Sequence, residues 1–351
     1  MVVRDLALGL HAAGHRPAVY SPQLGKIAAE ISRSGIPVVA DLKNLSEIPD
    51  IIHGHHTLET VMALRRFPSV RGIFVCHDRL AWHDIPPLSA RIHRYVAVDL
   101  NCRERFTLAG IADDRISVIT NAVDTERFRL RPPLPAHPRK AVVFSNYAGT
   151  GTHLEPVTLA CSRLGIELET IGSGSGTVSL QPEKVLGNYD LVFAKARCAL
   201  EAMAVGTAVV LCDTSGLGPL VTSANVGQLR PWNFGMRLLT SPLDPELIMA
   251  EIRKYDARDS MAVSRYIRGN ASLATGVEHY LSLYREVLSE PPIPLNGLDA
   301  GMVDDWMLEA AARIAGLESK LARLERDTGR VFAVVDWLDR CGLRSVGFGQ
   351  S

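Results

Sequence analysis

The sequence predicts an α/β protein made of two successive domains that face a cleft. Short apolar segments typical of buried strands alternate with segments typical of helices along residues 2–290, a pattern that indicates largely parallel sheets. The alternation is interrupted at residues 129–140, where four prolines fall within the eleven residues 129–139. Because proline fixes φ and lacks a backbone N–H, this segment is predicted to be a linker.

Length and composition exclude several classes of protein. The chain has 351 residues, 47% of them hydrophobic, with 38 basic and 38 acidic side chains. It is long enough for two domains, and its zero net charge argues against broad binding of nucleic acid. It has no apolar run long enough for a transmembrane segment and no signal-peptide pattern, and its six cysteines show no metal spacing. We expect a cytoplasmic protein, with any membrane contact peripheral and at the inner face.

The first predicted domain, residues 1–128, begins with a helix rather than a strand. Residues 2–14 form an amphipathic pattern that ends near Gly14. Because no strand precedes this helix, we expect the first strand of the domain and its glycine loop to be missing. The later elements are predicted as strands at 17–20, 36–40, 50–53, 72–76, 95–98 and 116–119, and helices at 58–66 and 100–109.

The second predicted domain, residues 141–290, is organised around residues 190–213. A buried strand, an Ala- and Leu-rich helix ended by Gly206, and a second buried strand follow one another there, which is a β-α-β unit of a parallel sheet. The other elements are predicted as strands at 141–145 and 166–171, a glycine-rich turn at 172–176, and helices at 154–163, 245–255, 259–268 and 275–289.

The turn between the first strand and the helix of this unit carries charged residues. Lys195 and Arg197 stand in the turn, and Glu201 lies one turn into the helix. Ligands of parallel sheets bind at such a turn, where the helix presents free backbone N–H groups. Two cations there oppose the helix dipole and need an anion or open solvent. A bound diphosphate is one interpretation, and a pair of solvated cations is the alternative.

Two signatures give the chain a resemblance to a known family. Asn121 to Phe128 reads NAVDTERF and resembles the N-G-V-D-x-x-x-F signature of family 4 (group 1) glycosyltransferases of the GT-B fold, with Ala122 in place of glycine. Leu200 to Val210 is similar to the family's L-E-A-M-A-x-G-x-P-V-V block, with Ala208 in place of proline. The resemblance implies two Rossmann-like domains, with the nucleotide-sugar donor mainly on the second and the acceptor on the first.

The resemblance also implies an activity. A sugar would be transferred from a nucleotide-diphosphate sugar to a glycan or lipid-linked acceptor, with retention of anomeric configuration, as in polysaccharide biosynthesis. No DxD motif is evident, so we expect no metal and no other cofactor. Basic side chains and helix dipoles would then stabilise the diphosphate.

Candidate site residues follow from the matched positions and from the loops at strand ends. Glu201 matches the glutamate that hydrogen-bonds the donor ribose, and His77 matches a histidine of the catalytic centre. The other donor-binding candidates are Lys195, Arg197, Gly149, Gly151, Gly216, Leu217 and Gly218, and the acceptor-side candidates are His55, His56 and Asp78. For His55 and His56 a polar rim at a strand end is the alternative interpretation, since His-x-His-His alone is a weak zinc pattern.

Two departures from the family pattern leave the function open. Phe193 stands where the first glutamate of a paired-glutamate motif is expected, next to the donor sugar. The loop 145–153 lacks the arginine and lysine that usually face the diphosphate, and we expect Lys195 and Arg197 to supply this charge. The sequence therefore predicts a retaining glycosyltransferase. The alternative is a catalytically impaired protein of the same fold that binds a nucleotide sugar or a protein partner.

The tail, residues 291–351, is predicted to be a separate helical segment after a proline-rich hinge. Apolar residues recur in alternating steps of four and three from Val303 to Leu324, which is the pattern of a coiled-coil seam. Three heptads are short for a stable coil. The sequence leaves open a homodimer through 303–324 and a helix packed on its own domain.

Overall fold

Three sheets organise the residues that the structure, a computed structural model, describes: 2–177, 179 and 181–291. The strands are β1 Val19–Tyr20, β2 Val38–Val39, β3 Ile51–Gly54, β4 Arg71–Cys76, β5 Ile92–Ala97, β6 Ile116–Val118, β7 Lys140–Phe144, β8 Glu167–Ile171, β9 Leu191–Ala194, β10 Ala208–Asp213 and β11 Gly216–Leu220. The helices are α1 Val2–Ala12, α2 Lys26–Arg33, α3 Thr57–Arg66, α4 Leu100–Leu108, α5 Leu154–Arg163, α6 Pro182–Val185, α7 Ala196–Val205, α8 Val226–Leu229, α9 Pro245–Ile252, α10 Ala257–Asn270 and α11 Leu273–Ser289.

The first large sheet is parallel, in the order β3-β4-β5-β6, and forms the centre of what we call the amino-terminal lobe. Its inner strand β4 is buried from Gly72 to Cys76, as expected for a parallel sheet covered on both faces. Helix α11 packs into the same core through Val277, Leu281 and Tyr284. The last described helix thus contributes its apolar face to the amino-terminal lobe, although it lies within the predicted second domain.

The short strands β1 and β2 pair only with each other, in a parallel sheet of their own. Helix α1 confirms the predicted amino-terminal helix, whereas α2 was not predicted. The missed helix has eight residues and buries Ile31 as its single fully buried residue.

The second large sheet, in the order β11-β10-β9-β7-β8, forms the centre of the carboxy-terminal lobe. Strands β7 to β10 are parallel, and β11 is an antiparallel edge strand. Helices α7 and α10 pack together on one side of the lobe, and α5 and α9 pack together in a second core cluster. The predicted β-α-β unit is confirmed as β9, α7 and β10, and Gly206 ends α7 in the left-handed conformation, with φ of +96°.

The predicted fold class is confirmed, since helices alternate with strands in two parallel-sheet lobes. All described residues fall within one compact unit of the chain, and the domain boundaries at 128 and 141 stay predictions. None of the described helices is long and apolar enough to cross a bilayer. The predicted coiled coil at 303–324 and most of the hinge lie outside the described residues.

Candidate functional site

The turn that leads from β9 into α7 holds an unusual backbone conformation. Lys195 is the N-cap residue of α7, and among the described residues no side chain caps this helix end. Ala196, the first residue of the helix, has a φ of +49°, which is unfavourable for a residue with a Cβ atom. Its N–H donates to the carbonyl of Phe234 at 2.7 Å, which fixes the turn. The start of α7 is therefore a rigid turn with uncapped N–H groups.

Arg197 joins the two lobes. Its Nη2 donates to Oδ2 of Asp5, in α1, and its Nε donates to Oε1 of Glu201 at 2.8 Å. Asp5 also accepts hydrogen bonds from its neighbour Arg4, with Nη2 to Oδ1 at 2.6 Å. Burial lowers the pKa of Arg197 and the two carboxylates raise it, with a net rise, so Arg197 stays charged.

Glu201 lies inside this ion-pair network and is only 5% exposed. Burial raises the pKa of its carboxyl, and the guanidinium of Arg197 opposes that rise. Glu201, which was predicted to bind the donor ribose, therefore already has a hydrogen-bond partner in this conformation. A ribose hydroxyl would have to share or replace the hydrogen bond from Arg197.

Lys195 makes a second ion pair within the carboxy-terminal lobe. Its Nζ lies 2.6 Å from Oδ2 of Asp213, the last residue of β10. The other oxygen of Asp213 accepts from Ser145 Oγ at 3.2 Å and from the N–H of Thr214 at 2.8 Å. The ammonium also lies 5.5 Å from the centre of the exposed ring of Tyr147, a distance at which cation–π attraction operates. Lys195 and Arg197 are both paired with protein carboxylates in this structure, rather than solvated as in the alternative interpretation.

The glycines of the two predicted turns pack against each other. A Cβ on Gly174 would lie 2.5 Å from the carbonyl oxygen of Ala148, and one on Gly172 would lie 2.0 Å from that of Ser145. A Cβ on Gly149 would lie 3.2 Å from the carbonyl oxygen of Gly174. A Cβ on Gly151 would face open space, and Gly151 has a φ of +73°. Glycine is required at 172 and 174 for close contact between two loops, and at 151 for a left-handed turn.

Residues 216–218, predicted to bind the donor, form the beginning of strand β11. Leu217 is buried, and its N–H and carbonyl pair with Ser241 at 2.9 and 3.0 Å. A Cβ on Gly216 or Gly218 would lie within 3 Å of backbone oxygens of residues 238–241. These glycines permit close packing of an edge strand, and the peptide N–H of Leu217 is already used. The donor contacts of residues 216–218 stay a prediction.

Three histidines stack at the carboxyl ends of β3 and β4. The rings of His53 and His55 are 4.5 Å apart, and those of His55 and His77 are 5.1 Å apart. Nδ1 of His55 lies 2.8 Å from Nε2 of His77, and Nδ1 of His53 lies 2.5 Å from the hydroxyl of Tyr284 in α11. Burial lowers the pKa of His77 to about 4, with the nearby charges of His56 and Arg197 adding to the effect. His77 is therefore a neutral imidazole at pH 7, able to donate or accept a hydrogen bond.

Two further histidines and a buried carboxylate lie beside this stack. His56 is the N-cap residue of α3, and His83 and Asp84 lie in the 3₁₀ turn Trp82–Asp84. One ligand atom of each residue lies within 4.8 Å of the others. Oδ2 of Asp84 accepts hydrogen bonds from the backbone N–H groups of His77 and Asp78, at 3.1 and 2.7 Å. Burial raises the pKa of Asp84 despite these donors.

Asp78 has a structural role in the turn after β4. Its Oδ1 accepts from the N–H groups of Leu80 and Ala81, at 2.6 and 3.0 Å. Because both bonds are local, Asp78 fixes the turn. Its exposure at the strand end remains compatible with the predicted acceptor side.

The predicted donor turn contacts the amino-terminal lobe, which carries the predicted catalytic histidine. Arg197 reaches Asp5 of the amino-terminal lobe, and its charge contributes to the lowered pKa of His77. Phe193 is 0% exposed and belongs to the core of the carboxy-terminal lobe. The position of the expected first glutamate is thus a core position in this chain.

Several residues of the site were not predicted from sequence. Asp5 and Asp213 are the partners of the two cations, and Tyr147 lies against Lys195. Asp213 could have been found as a polar residue at the carboxyl end of a buried strand. Asp5 gives no such signal, because its role depends on a partner 192 residues away.

The amino-terminal part of the chain matches a known family. Residues 1–127 match the sequence model of Glycosyltransferase Family 4. No curated protein sequence matches the chain significantly.

Solved structures of similar fold cover most of the chain. A glycosyltransferase from Rickettsia africae ESF-5 has a TM-score of 0.58 and 14% identity, over 82% of this chain and 94% of that one. Anabaena Alr3699/HepE in complex with UDP has a TM-score of 0.57 and 13% identity, over 81% and 96%. AviGT4, a glycosyltransferase involved in avilamycin A biosynthesis, has a TM-score of 0.53 and 17% identity, over 83% and 90%.

These likenesses confirm the resemblance predicted from the two signatures. At such low identities the structures establish the fold, which is the two-lobed GT-B fold. Together with the match over residues 1–127 they support glycosyl transfer as the general class of activity.

Proposed function

We propose that the chain is a retaining glycosyltransferase that transfers a sugar from a nucleotide-diphosphate sugar to a glycan or lipid-linked acceptor. The proposal rests on one contact, in which Arg197 at the start of α7 pairs with Asp5 of the amino-terminal lobe. It brings a helix N-terminus, two cations and a neutral imidazole to the junction of the lobes. A transfer between a donor on one lobe and an acceptor on the other requires such a junction.

The donor diphosphate would bind at the start of α7. The uncapped N–H groups of this helix and its dipole favour an anion. Lys195 and Arg197 would exchange their contacts with Asp213 and Asp5 for phosphate oxygens, and Glu201 would turn to the ribose. Arg197 can offer a bidentate contact and Lys195 a point charge. These side chains would stabilise the leaving diphosphate, with no metal required at this position.

His77 would act on the sugar or acceptor as a neutral hydrogen-bonding group. Its lowered pKa keeps it uncharged at pH 7, and its contact with His55 fixes its ring. The leaving phosphate itself would take the proton of the acceptor hydroxyl, so the protein needs no nucleophile. His55, His56 and Asp78 would lie on the acceptor side.

A UDP-sugar is the first donor to test, because Anabaena Alr3699/HepE was solved with UDP and with UDP-glucose. The acceptor would belong to a polysaccharide pathway. The protein would be cytoplasmic, with peripheral contact to the membrane. It would form a homodimer through residues 303–324.

A second candidate is a catalytically impaired protein that binds a nucleotide sugar or a protein partner. Phe193 favours it, because this buried position holds no carboxylate where the family pattern has a glutamate.

Nucleotide release from UDP-, GDP- and ADP-sugars separates the two candidates. The assay is run with and without alkyl glycosides as acceptors, and nucleotide binding is measured in parallel by calorimetry. Release of nucleoside diphosphate by the wild type, reduced at least tenfold in His77→Ala but not in the exposed His137→Ala, supports the transferase. Binding without release supports the second candidate, and neither binding nor release contradicts both. An NMR spectrum of the product anomer tests retention.

A further inference from the structure

We propose that His56, His83 and Asp84 form a binding site for a divalent transition-metal ion of the zinc class. The three side chains come from the start of α3 and the turn Trp82–Asp84, both in the amino-terminal lobe. One ligand atom of each lies within 4.8 Å of the others. The three residues lie on other elements than α7, and metal binding by them does not depend on the proposed transfer reaction.

An unsatisfied buried oxygen indicates that this cluster is built for a ligand. Asp84 is 0% exposed, and its Oδ2 accepts two backbone N–H bonds. Its Oδ1 is buried and has no hydrogen-bond partner among the described residues. A buried carboxylate oxygen left without a donor is unfavourable, and a cation held by the two neighbouring imidazoles would satisfy it.

The cluster is held together by contacts that do not involve the ligand atoms. The buried hydroxyl oxygen of Thr57 lies 2.9 and 2.5 Å from the carbonyl oxygens of His83 and Ile85, which share its single hydrogen. This ties the residue after His56 to the turn that carries the other two ligands. The rings of His56 and His83 are 4.6 Å apart and inclined by 54°, so they converge without stacking flat.

The chemical nature of the three ligand atoms indicates the class of metal. Two imidazole nitrogens and one carboxylate oxygen suit zinc and neighbouring first-row ions, whereas magnesium and calcium prefer oxygen ligands. Ligand atoms bound to one zinc ion lie about 3.4 Å apart, given bonds of about 2.1 Å. The exposed His56 and the half-buried His83 can rotate toward the fixed Asp84 to reach this distance. Three protein ligands leave at least one coordination position for water or a substrate oxygen.

Metal binding by the untagged full-length chain tests the proposal, with Zn²⁺ and Co²⁺ as probes. We expect one Zn²⁺ per chain by calorimetry, a higher melting temperature with Zn²⁺, and visible absorption bands from bound Co²⁺. His56→Ala, His83→Ala and Asp84→Asn are expected to weaken Zn²⁺ binding at least tenfold and to remove the Co²⁺ bands. His137→Ala, at an exposed histidine outside the cluster, is the matched control and should bind as the wild type does.

His56→Ala keeps the test decisive if Asp84→Asn does not fold, since His56 is exposed. Far-UV circular dichroism of each metal-free variant reports its folding. The absence of one-to-one binding by the wild type, or equal binding by wild type and His56→Ala, overturns the proposal. Since no donor or acceptor is present in these measurements, a negative result leaves the proposed transfer untouched, and a failed transfer assay leaves the metal site untouched.

Discussion

The guanidinium of Arg197 in α7 donates a hydrogen bond to the carboxylate of Asp5 in α1, 192 residues earlier in the chain. This contact links the start of the central helix of the carboxy-terminal lobe to the first helix of the amino-terminal lobe. Glu201 holds the same guanidinium from its other side. One ion-pair network therefore links the two lobes and includes Arg197 and Glu201 of the predicted donor site.

Asp5→Asn should destabilise the protein. It leaves Arg197 and Arg4 without a shared carboxylate in a buried position, and we expect a loss of about 2–4 kcal/mol in the free energy of unfolding. Urea denaturation at pH 7 measures it. Arg16→Gln breaks the exposed pair with Glu47 and should cost less than about 1 kcal/mol. Equal losses in the two variants would show that the lobe contact is energetically unimportant.

Lys195→Ala and Arg197→Ala should weaken donor binding. Each removes a charged hydrogen-bond donor from the proposed diphosphate site, so we expect the Kd for UDP, measured by calorimetry, to rise about tenfold or more. Lys254→Ala, which removes an exposed lysine paired with Glu251, should bind as the wild type does. If both turn variants keep the wild-type affinity, the assignment of this turn to the diphosphate is wrong.

Acid should destabilise the fold through the half-buried histidines His53, His55 and His77. Burial lowers the pKa of His53 to about 3 and that of His77 to about 4, and lowers that of His55 well below its usual range. The unfolded chain takes up these protons below about pH 6.5 and the folded chain does not. Stability from these groups is therefore complete above that pH and decreases as the pH falls toward 4.

His77→Gln gives the test of this pH dependence. Each proton bound only by the unfolded chain lowers the free energy of unfolding by about 1.4 kcal/mol per pH unit. Urea denaturation at pH 7, 6 and 5 should show a shallower decrease for His77→Gln than for the wild type, and the wild-type decrease for the exposed His137→Gln. The prediction fails if His77→Gln keeps the full slope.

Ala196→Gly should be tolerated despite its position in a helix. Ala196 has a φ of +49°, which costs a residue with a Cβ atom roughly 1 kcal/mol and costs glycine nothing. The greater freedom of unfolded glycine offsets part of this gain, so we expect a change between zero and about 1 kcal/mol of stabilisation.

Ala199→Gly in the same helix is the matched control. Ala199 is fully buried in the middle of α7, where glycine should cost about 1 kcal/mol or more. Thermal or urea unfolding of both variants gives the comparison. A loss in Ala196→Gly as large as in Ala199→Gly would mean that the left-handed turn is not strained.

The regular elements were the most predictable part of the protein. The β-α-β unit around α7 was located within a few residues, because apolar strands, a helix-forming run and a terminal glycine all agree there. Residues 216–218 were predicted as a loop and form a strand. Their glycines resemble a ligand loop in sequence, and only the packing against residues 238–241 shows why they are needed.

The sequence by itself determined the fold class, the resemblance to GT-B glycosyltransferases and the position of the charged turn, because these depend on local periodicity and on short motifs. The tertiary structure decided what each charge of that turn faces: Asp213 for Lys195, and Asp5 with Glu201 for Arg197. It also placed His56, His83 and Asp84 close together, and it packed α11 against the core of the amino-terminal lobe. These contacts join residues far apart in the chain, and electrostatic and hydrophobic partners at such separations leave no periodic signal in the sequence.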